Sequence, residues 1–157
     1  MDIVVNASPL ILLCKAGHVR LLEDLGRNVF VPCAVVNEVV AYPDDEAGKS
    51  LRSYTWIKQV HVAVPDSIKA WDLGAGESEV IAYALQNNGV RPLLDDAEGK
   101  ACALAHGLKP FGTAGLLVLA KRSGLIQSVK PTLCIIREKG LWISDAVVAA
   151  IVRSAGE

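Results

Sequence analysis

Short apolar segments alternate with helix-like segments along almost the whole chain, and this alternation limits the fold more than any other feature. Residues 3–5, 29–31 and 91–94 read as short strands, and each is followed by a helix-like segment. Residues 56–64 form a strand or an extended edge, and residues 108–111 a brief strand. Strands that alternate with helices build parallel sheets covered on both faces. The sequence therefore predicts a three-layer α/β/α fold with a short-stranded parallel sheet.

The first strand leads into a helix start. Ser8 followed by Pro9 is typical of an N-cap and a first helical residue. This leaves Asn6 at the carboxyl end of the first strand, the edge at which open α/β sheets bind ligands. Further helices are predicted at 18–25, 33–40, 73–89, 96–106, 112–124, 131–139 and 144–154, with a turn at Pro43-Asp44 and a polar helix after it.

Length and composition are those of one domain over residues 1–157. The chain is 52% hydrophobic with few aromatic residues, which suits buried strands of Val, Leu and Ile. No apolar run approaches the ~18 residues of a membrane span, and no basic leader precedes the first strand. We therefore expect a cytoplasmic protein with no membrane partner. The cysteines form no C-x-x-C pair and predict buried thiols rather than a zinc site: Cys14, Cys33, Cys102 and Cys134.

Charge is divided unevenly along the chain. Residues 1–99 contain 8 Lys/Arg and 14 Asp/Glu, whereas residues 100–157 contain 8 and 3. An acidic half joined to a basic half suits a metal pocket beside a phosphate-binding face. Ordinary scatter of surface charge is the alternative explanation.

Polar side chains follow several of the predicted strands at the point where each strand ends. They are Asn6, Glu38, Glu77, Asp95 and Asp96. Each has a simpler explanation as a solvent-facing residue, a partner of the helix dipole or an N-cap. Taken together they predict a shared pocket, because parallel strands end at one edge of the sheet.

Several carboxylates in one pocket repel each other unless a cation neutralises them or some are protonated. Oxygen ligands without His or Cys favour Mg²⁺ or Mn²⁺, which support phosphodiester hydrolysis. His18, His61 and His106 lie outside these motifs, so a histidine-based hydrolase is disfavoured. Ser8 has no G-x-S-x-G context, and the glycine-rich segments lack the residues of a phosphate-binding P-loop.

An ordered set of motifs resembles a prokaryotic subfamily of PIN domains, which includes VapC-like toxin ribonucleases. The motifs are VVNASPLILLCKAG, VPCAVVNEV, LGAGESEVIAYAL, LLDDAEGKACA, GTAGLLVLAKRSGLI and the closing VKP…ISDAVV…GE. They extend from about residue 3 to Glu157. The resemblance implies a metal-dependent ribonuclease, often the toxin of a toxin–antitoxin pair and commonly dimeric.

The resemblance also implies site residues. The family's first acid falls on Asn6, and the hydroxyl that supports it falls on Ser8. The second acid falls on Glu38, and the third on Glu77, with Glu79 as its neighbour. The fourth acid falls on Asp96, with Asp95 as a close alternative, and a further polar site residue falls on Thr113. Asn6 departs from the pattern, because its amide oxygen can bind a cation but carries no charge.

These observations favour a metal-dependent endoribonuclease that uses Mg²⁺ or Mn²⁺, acts on RNA, forms a homodimer and is held by a small antitoxin. Lys121, Arg122 and Lys130 are candidates for an RNA path, or simply for a solvated helix end. One alternative is a catalytically weakened PIN module that binds RNA or a protein partner. Another is a small-molecule or phosphoacceptor domain, although a receiver domain places its acidic pair after the first strand.

Overall fold

The computed structural model describes residues 1–41 and 46–157. In these residues the strands are β1 (Asp2–Val5), β2 (Asn28–Pro32), β3 (Ile57–Val60) and β4 (Val90–Leu93). They form one parallel sheet in the order β3-β2-β1-β4. In the register, Ile3 of β1 lies opposite Val29 of β2 and Arg91 of β4. The central position of β1 explains why Ile3, Val4 and Val5 are fully buried.

Helices connect and cover the strands. They are α1 (Ala7–Lys15), α2 (Arg20–Leu25), α3 (Cys33–Val40), α4 (Glu46–Ser53), α5 (Asp66–Lys69), α6 (Ala75–Gln86), α7 (Ala97–Ala105), α8 (Thr113–Arg122), α9 (Val129–Glu138) and α10 (Asp145–Ser154). The predicted three-layer α/β/α arrangement is confirmed. No helix in the described ranges is long and apolar enough to cross a membrane.

Two neighbouring residues of β2 show how the layers are divided. The Phe30 ring packs against Tyr83 of α6, with 4.9 Å between ring centroids. A methyl group on Gly26, at the end of α2, would lie 2.9 Å from Val29. Successive side chains of a strand point to opposite faces. Helices α6 and α2 therefore cover opposite faces of the sheet, and α8 packs against α2 on its side.

The predicted brief strand at 108–111 is wrong. The segment makes one isolated bridge, from Leu93 to Phe111, with hydrogen bonds from Leu94 N–H to Phe111 O (2.9 Å) and from Phe111 N–H to Pro92 O (3.1 Å). Pro110 has no N–H for a strand ladder, so pairing does not extend. The 56–64 segment likewise keeps only β3 as a strand.

The first helix starts earlier than its Ser-Pro pair predicts. Helix α1 begins at Ala7 with Asn6 as the N-cap residue, so the prediction of Ser8 as N-cap is wrong. Pro9 still falls in the first turn, where its missing N–H has no intrahelical acceptor. Helix α5 was not expected from the sequence, and the predicted turn at Pro43-Asp44 lies outside the described residues.

The cysteines differ in exposure. Cys14 and Cys102 are buried, as predicted, but Cys33 is half-buried and Cys134 is exposed on α9. The apolar run around Cys134 misled the prediction, because α9 is amphipathic and buries Val129, Leu133 and Ile136 instead. None of the four is in a disulfide.

Candidate active site

Asn6 ends β1 and begins α1, at the carboxyl edge of the sheet. Asparagine is a favoured N-cap, yet the Asn6 side chain makes no capping hydrogen bond. The backbone of Asn6 is held by its N–H, which donates to Leu93 O at 3.1 Å. Its Oδ1 is buried with no hydrogen-bond partner. Leaving such an oxygen without a partner costs roughly 1–3 kcal/mol, so Asn6 Oδ1 is a candidate ligand for a cation.

Gly76, in the first turn of α6, brings Asn6 and Glu38 together. A methyl group on Gly76 would lie 3.2 Å from Asn6 Oδ1 and 3.0 Å from Glu38 Oε2. Both oxygens therefore face the same point on α6, although β1 and α3 deliver them from different parts of the chain. A methyl group here would be tight against both oxygens, so each would have to move by a few tenths of an ångström.

Glu77 follows directly on α6 and is half-buried. Burial raises the pKa of the Glu77 carboxyl, and the negative charges of Asp96 and Glu38 raise it further. These two contributions show that the three carboxyl groups share one electrostatic environment. We call Asn6, Glu38, Glu77 and Asp96 the acidic pocket.

Asp96 is the N-cap of α7. Its Oδ2 accepts hydrogen bonds from the N–H groups of Glu98 (2.8 Å) and Gly99 (3.0 Å). A methyl group on Gly99 would lie 3.5 Å from Glu77 Oε1 and 3.9 Å from Asp96 Oδ2. Asp96 therefore combines the capping role with a place beside Glu77.

Asp95 is engaged differently from its neighbour. It accepts hydrogen bonds from Thr113 N–H (Oδ1, 2.7 Å) and Thr113 Oγ1–H (Oδ2, 2.6 Å). Thr113 is fully buried and opens α8. Both carboxylate oxygens of Asp95 thus fix the start of α8, so Asp95 and Thr113 act as a brace between β4 and α8.

A cavity of about 640 Å³ opens beside these residues. Its polar lining comprises Asn6, Ser8, Glu77, Asp95, Asp96 and Lys100, and residues 140–143 with Val147 and Ile151 form much of its apolar wall. Ser8 lies exposed at the rim. Glu38 is exposed on α3 and is not among the lining residues, so it approaches Asn6 across Gly76 rather than through the cavity.

Lys100 is a cavity residue that sequence reasoning missed. Its ammonium donates a hydrogen bond to the Asp95 carbonyl oxygen at 3.2 Å. The sequence spacing could have indicated this position, because Lys100 follows Asp96 by four residues, the spacing at which side chains on one face of a helix are neighbours. Lys100 thus adds a positive charge to a polar lining that otherwise consists of carboxylates, an amide and a hydroxyl.

The three basic residues suggested for an RNA path lie elsewhere. Lys121 Nζ contacts Glu157 Oε1 at 2.8 Å, Arg122 donates to Ser154 O at 3.2 Å, and the Lys130 N–H donates to Glu157 Oε2 at 3.2 Å. None of them lines the cavity. The structure therefore groups them with the C-terminal segment and not with the acidic pocket.

Glu79 also has a separate role. Its Oε2 accepts a hydrogen bond from Ala34 N–H at 2.9 Å, at the start of α3. This contact holds in place the helix that carries Glu38. Glu79 thus supports the pocket without lining the cavity.

The donor atoms of the acidic pocket suit a hard divalent cation. All are oxygens, and the unpartnered Asn6 Oδ1 is of the kind that a cation satisfies. In residues 1–41 and 46–157 no three His, Cys, Asp or Glu side chains form a ready metal cluster. Mg²⁺ requires no such cluster, since it usually binds one or two carboxylates and keeps several waters.

Fold and site together define a parallel α/β/α domain whose sheet edge gathers carboxylate and amide oxygens beside a cavity. A family model described as "DUF3368: PIN domain" matches residues 2–157. The chain belongs to the PIN-domain family, which confirms the family predicted from the sequence motifs. PIN domains are typically nucleases and generally use divalent metal ions. No curated protein matches the chain.

Proposed function

We propose that this PIN domain is an endoribonuclease that depends on Mg²⁺ or Mn²⁺. One observation carries the proposal: a buried Asn6 Oδ1 without a partner faces the same point as Glu38 Oε2. Glu77 and Asp96 complete a set of oxygen donors that suits these ions. When bound, the cation supplies Lewis-acid stabilisation of the charge that develops on the phosphodiester.

The protein's own groups have distinct tasks in this proposal. Within the acidic pocket, the Asn6 amide oxygen and one or two of the three carboxylates would hold the cation directly, and the remaining carboxylates would hold its water molecules. The brace of Asp95 and Thr113 keeps α8 in place behind the cavity. Lys100 presents an ammonium to a phosphate oxygen that enters the cavity, and its hydrogen bond to the Asp95 carbonyl restrains it there. Ser8 offers a hydroxyl at the rim.

The test compares cation binding with cleavage in the same samples. Mn²⁺ binding by calorimetry and cleavage of a single-stranded RNA are measured for the wild type, Glu38→Gln and a control, Glu23→Gln. Glu23 is an exposed carboxylate on α2 and does not line the cavity. We expect Glu38→Gln to lose both binding and cleavage, and Glu23→Gln to keep both. Full activity of purified Glu38→Gln would reject the proposal.

A second candidate function rests on the uncharged Asn6. A pocket with an amide in place of a carboxylate attracts a cation less strongly, and the domain then binds RNA or a protein partner without cleaving RNA. This alternative would be supported if the wild type did not cleave RNA but its Asn6→Asp variant did. Equal cleavage by both would reject it.

The role as a cytoplasmic toxin held by a small antitoxin, and the homodimer, are proposed from family membership. They are tested by expressing the chain with and without the gene beside its own. Growth arrest by the chain alone, relieved by the neighbour, is the expected result. Light scattering of the purified protein tests the dimer.

A further inference from the structure

Trp142 lies in the short connection between α9 and α10. Its side chain is 97% exposed, the largest value among the large apolar side chains of the described residues. The next highest value is 62%, for Leu104. Burial of apolar surface stabilises a fold, so an indole in this position contributes almost nothing to stability.

The backbone around Trp142 is nevertheless well anchored. Leu141 is buried, and its N–H donates to Ile136 O at 3.3 Å. Ile143 packs against the core, and Ser144 caps α10 by accepting the Val147 N–H at 3.2 Å. The residues on either side therefore point inward and hold the indole outward on a fixed segment.

Two recesses meet at this indole. On one side Trp142 lines the cavity that contains Glu77 and Asp96. On the other it lines a smaller recess of about 450 Å³ together with Arg137. Arg137 pairs through one guanidinium nitrogen with Asp145 at 2.6 Å. Residues 140–143 line both recesses, so Trp142 lies between the residues of the proposed catalytic cavity and the Arg137–Asp145 ion pair.

We infer that Trp142 is a stacking residue for a base of single-stranded RNA next to the cleaved phosphodiester. This inference rests on the proposed function. A nucleotide combines a flat π surface, which stacks on an exposed aromatic ring, with a phosphate that suits the charge of Arg137. Double-stranded RNA keeps its bases stacked inside the helix and offers no free face. The site therefore selects unpaired RNA.

A protein partner is the competing occupant. An interface of that kind has at its centre a broad apolar core depleted of charge. Trp142 has apolar neighbours, Leu141 and Ile143, but its cavity also contains carboxylates and Lys100, and its second recess contains Arg137. The carboxylates alone would repel a phosphate, so the proposed cation, together with Arg137 and the flat face of the indole, is what favours a nucleotide over a protein.

The experiment titrates a short single-stranded RNA with a 5′ dye into the wild type, Trp142→Ala, Trp142→Phe and the control Trp71→Phe, with EDTA and with Mg²⁺. Anisotropy of the dye gives the affinity, and tryptophan fluorescence gives the stacking. We expect Trp142→Ala to weaken binding at least about fivefold and Trp142→Phe to weaken it less. RNA should quench the wild type and Trp71→Phe, but the quenching should be lost in Trp142→Phe. Thermal unfolding should be unchanged in both Trp142 variants.

The outcomes separate this inference from the proposed function. If RNA binding and fluorescence quenching depend on Trp142 but no RNA is cleaved, the stacking inference is supported and the proposed nuclease activity is rejected. Cleavage that requires Glu38 but has the same KM in Trp142→Ala supports the nuclease and rejects stacking. The inference would also be overturned if the wild type did not bind the RNA or bound the matching duplex with equal affinity. It would be overturned as well if Trp142 were needed for binding a protein partner but not for binding RNA.

Discussion

Carboxylates occur in two opposite settings in this molecule. In the acidic pocket, Glu77 is half-buried beside Glu38 and Asp96, and its pKa is raised by burial and by their charges. At the C-terminal cap, which we define as Glu157 with Lys121, Ser128, Val129 and Lys130, one carboxylate accepts hydrogen bonds from four donors. These donors lower the pKa of Glu157 to about 2.

The contrast separates a proposed binding site from a structural contact. In the C-terminal cap, hydrogen-bond donors of the protein itself compensate the charge of the Glu157 carboxylate. These contacts hold α8, the start of α9 and the end of the chain together. The pocket compensates its charge less completely: two N–H groups of α7 hold Asp96, but the pKa of Glu77 is still raised, and Asn6 Oδ1 is a buried oxygen without a partner. A pocket of that kind is stabilised by an external cation, whereas the cap needs none.

The largest expected effect comes from neutralising the pocket. Glu77→Gln should lower RNA cleavage more than about 100-fold, since it removes a proposed cation ligand and even supporting groups contribute 10- to 100-fold. The same change should raise the melting temperature of the cation-free protein at neutral pH. A raised folded-state pKa means that stability is lost as pH rises through it, and glutamine removes this loss. A lower melting temperature with unchanged cleavage would contradict the assignment.

Adding charge to the pocket should have the reverse effect on cation binding. Asn6→Asp should tighten Mn²⁺ binding about tenfold or more and lower the melting temperature in EDTA, because a fourth carboxylate repels the other three. Mn²⁺ should then raise the melting temperature more than it does in the wild type. Calorimetry and thermal unfolding with and without Mn²⁺ measure both. Asn88→Asp, in the exposed turn between α6 and β4, is the control. An Asn6→Asp variant that binds Mn²⁺ no tighter than the wild type would argue against Asn6 as a ligand.

The sequence carried much of the fold because strands and helices alternate with clear start and stop residues. Prediction from the sequence failed where the structure of a segment depends on a particular residue in it or on the element that it packs against. Residues 108–111 have the pattern of a strand, but Pro110 limits their pairing to one bridge. Cys134 is exposed on α9 although its neighbours in the sequence are apolar. Exposure of this kind depends on which face of a helix meets the core.

For the candidate site, spacing and resemblance predicted which residues lie at one edge of the sheet, but not the partner of each side chain. Asp95 and Asp96 are adjacent in sequence, yet one braces Thr113 and the other caps α7. Glu157 and Lys121 are 36 residues apart, and no local pattern announces that contact. Long-range pairs of this kind require the three-dimensional structure.

The brace behind the pocket should have an intermediate effect. Thr113→Val keeps the shape of the side chain but removes the hydroxyl that donates to Asp95 at 2.6 Å. We expect a loss of roughly 1.5–3 kcal/mol of unfolding free energy, the usual range for a hydrogen bond to a charged group. Cleavage should fall only moderately, within the 10- to 100-fold range of supporting groups. Denaturant unfolding and cleavage rates measure the two effects, with Thr132→Val on α9 as the matched control.

The smallest effect on cleavage should come from breaking the C-terminal cap. Glu157→Gln should lower the melting temperature by a few degrees at neutral pH and leave RNA cleavage unchanged, because Glu157 does not line the cavity. The folded-state pKa of Glu157 is lowered from 4.5 to about 2. Its stabilisation is therefore fully present above pH 4.5 and is lost as pH falls toward 2. The variant should accordingly lose less stability between these pH values than the wild type.

Asp2 provides the control for this pH range. Its pKa is also lowered to about 2, chiefly by Arg27, so acid still destabilises Glu157→Gln through Asp2. Asp2→Asn should flatten the same part of the curve of stability against pH without breaking the C-terminal cap, and the double variant should flatten it most. If Glu157→Gln kept the full acid dependence of the wild type, the cap would not stabilise the fold through its charge. The contrast with the acidic pocket would then fail on the C-terminal side, while the predictions for Glu77 and Asn6 would be unaffected.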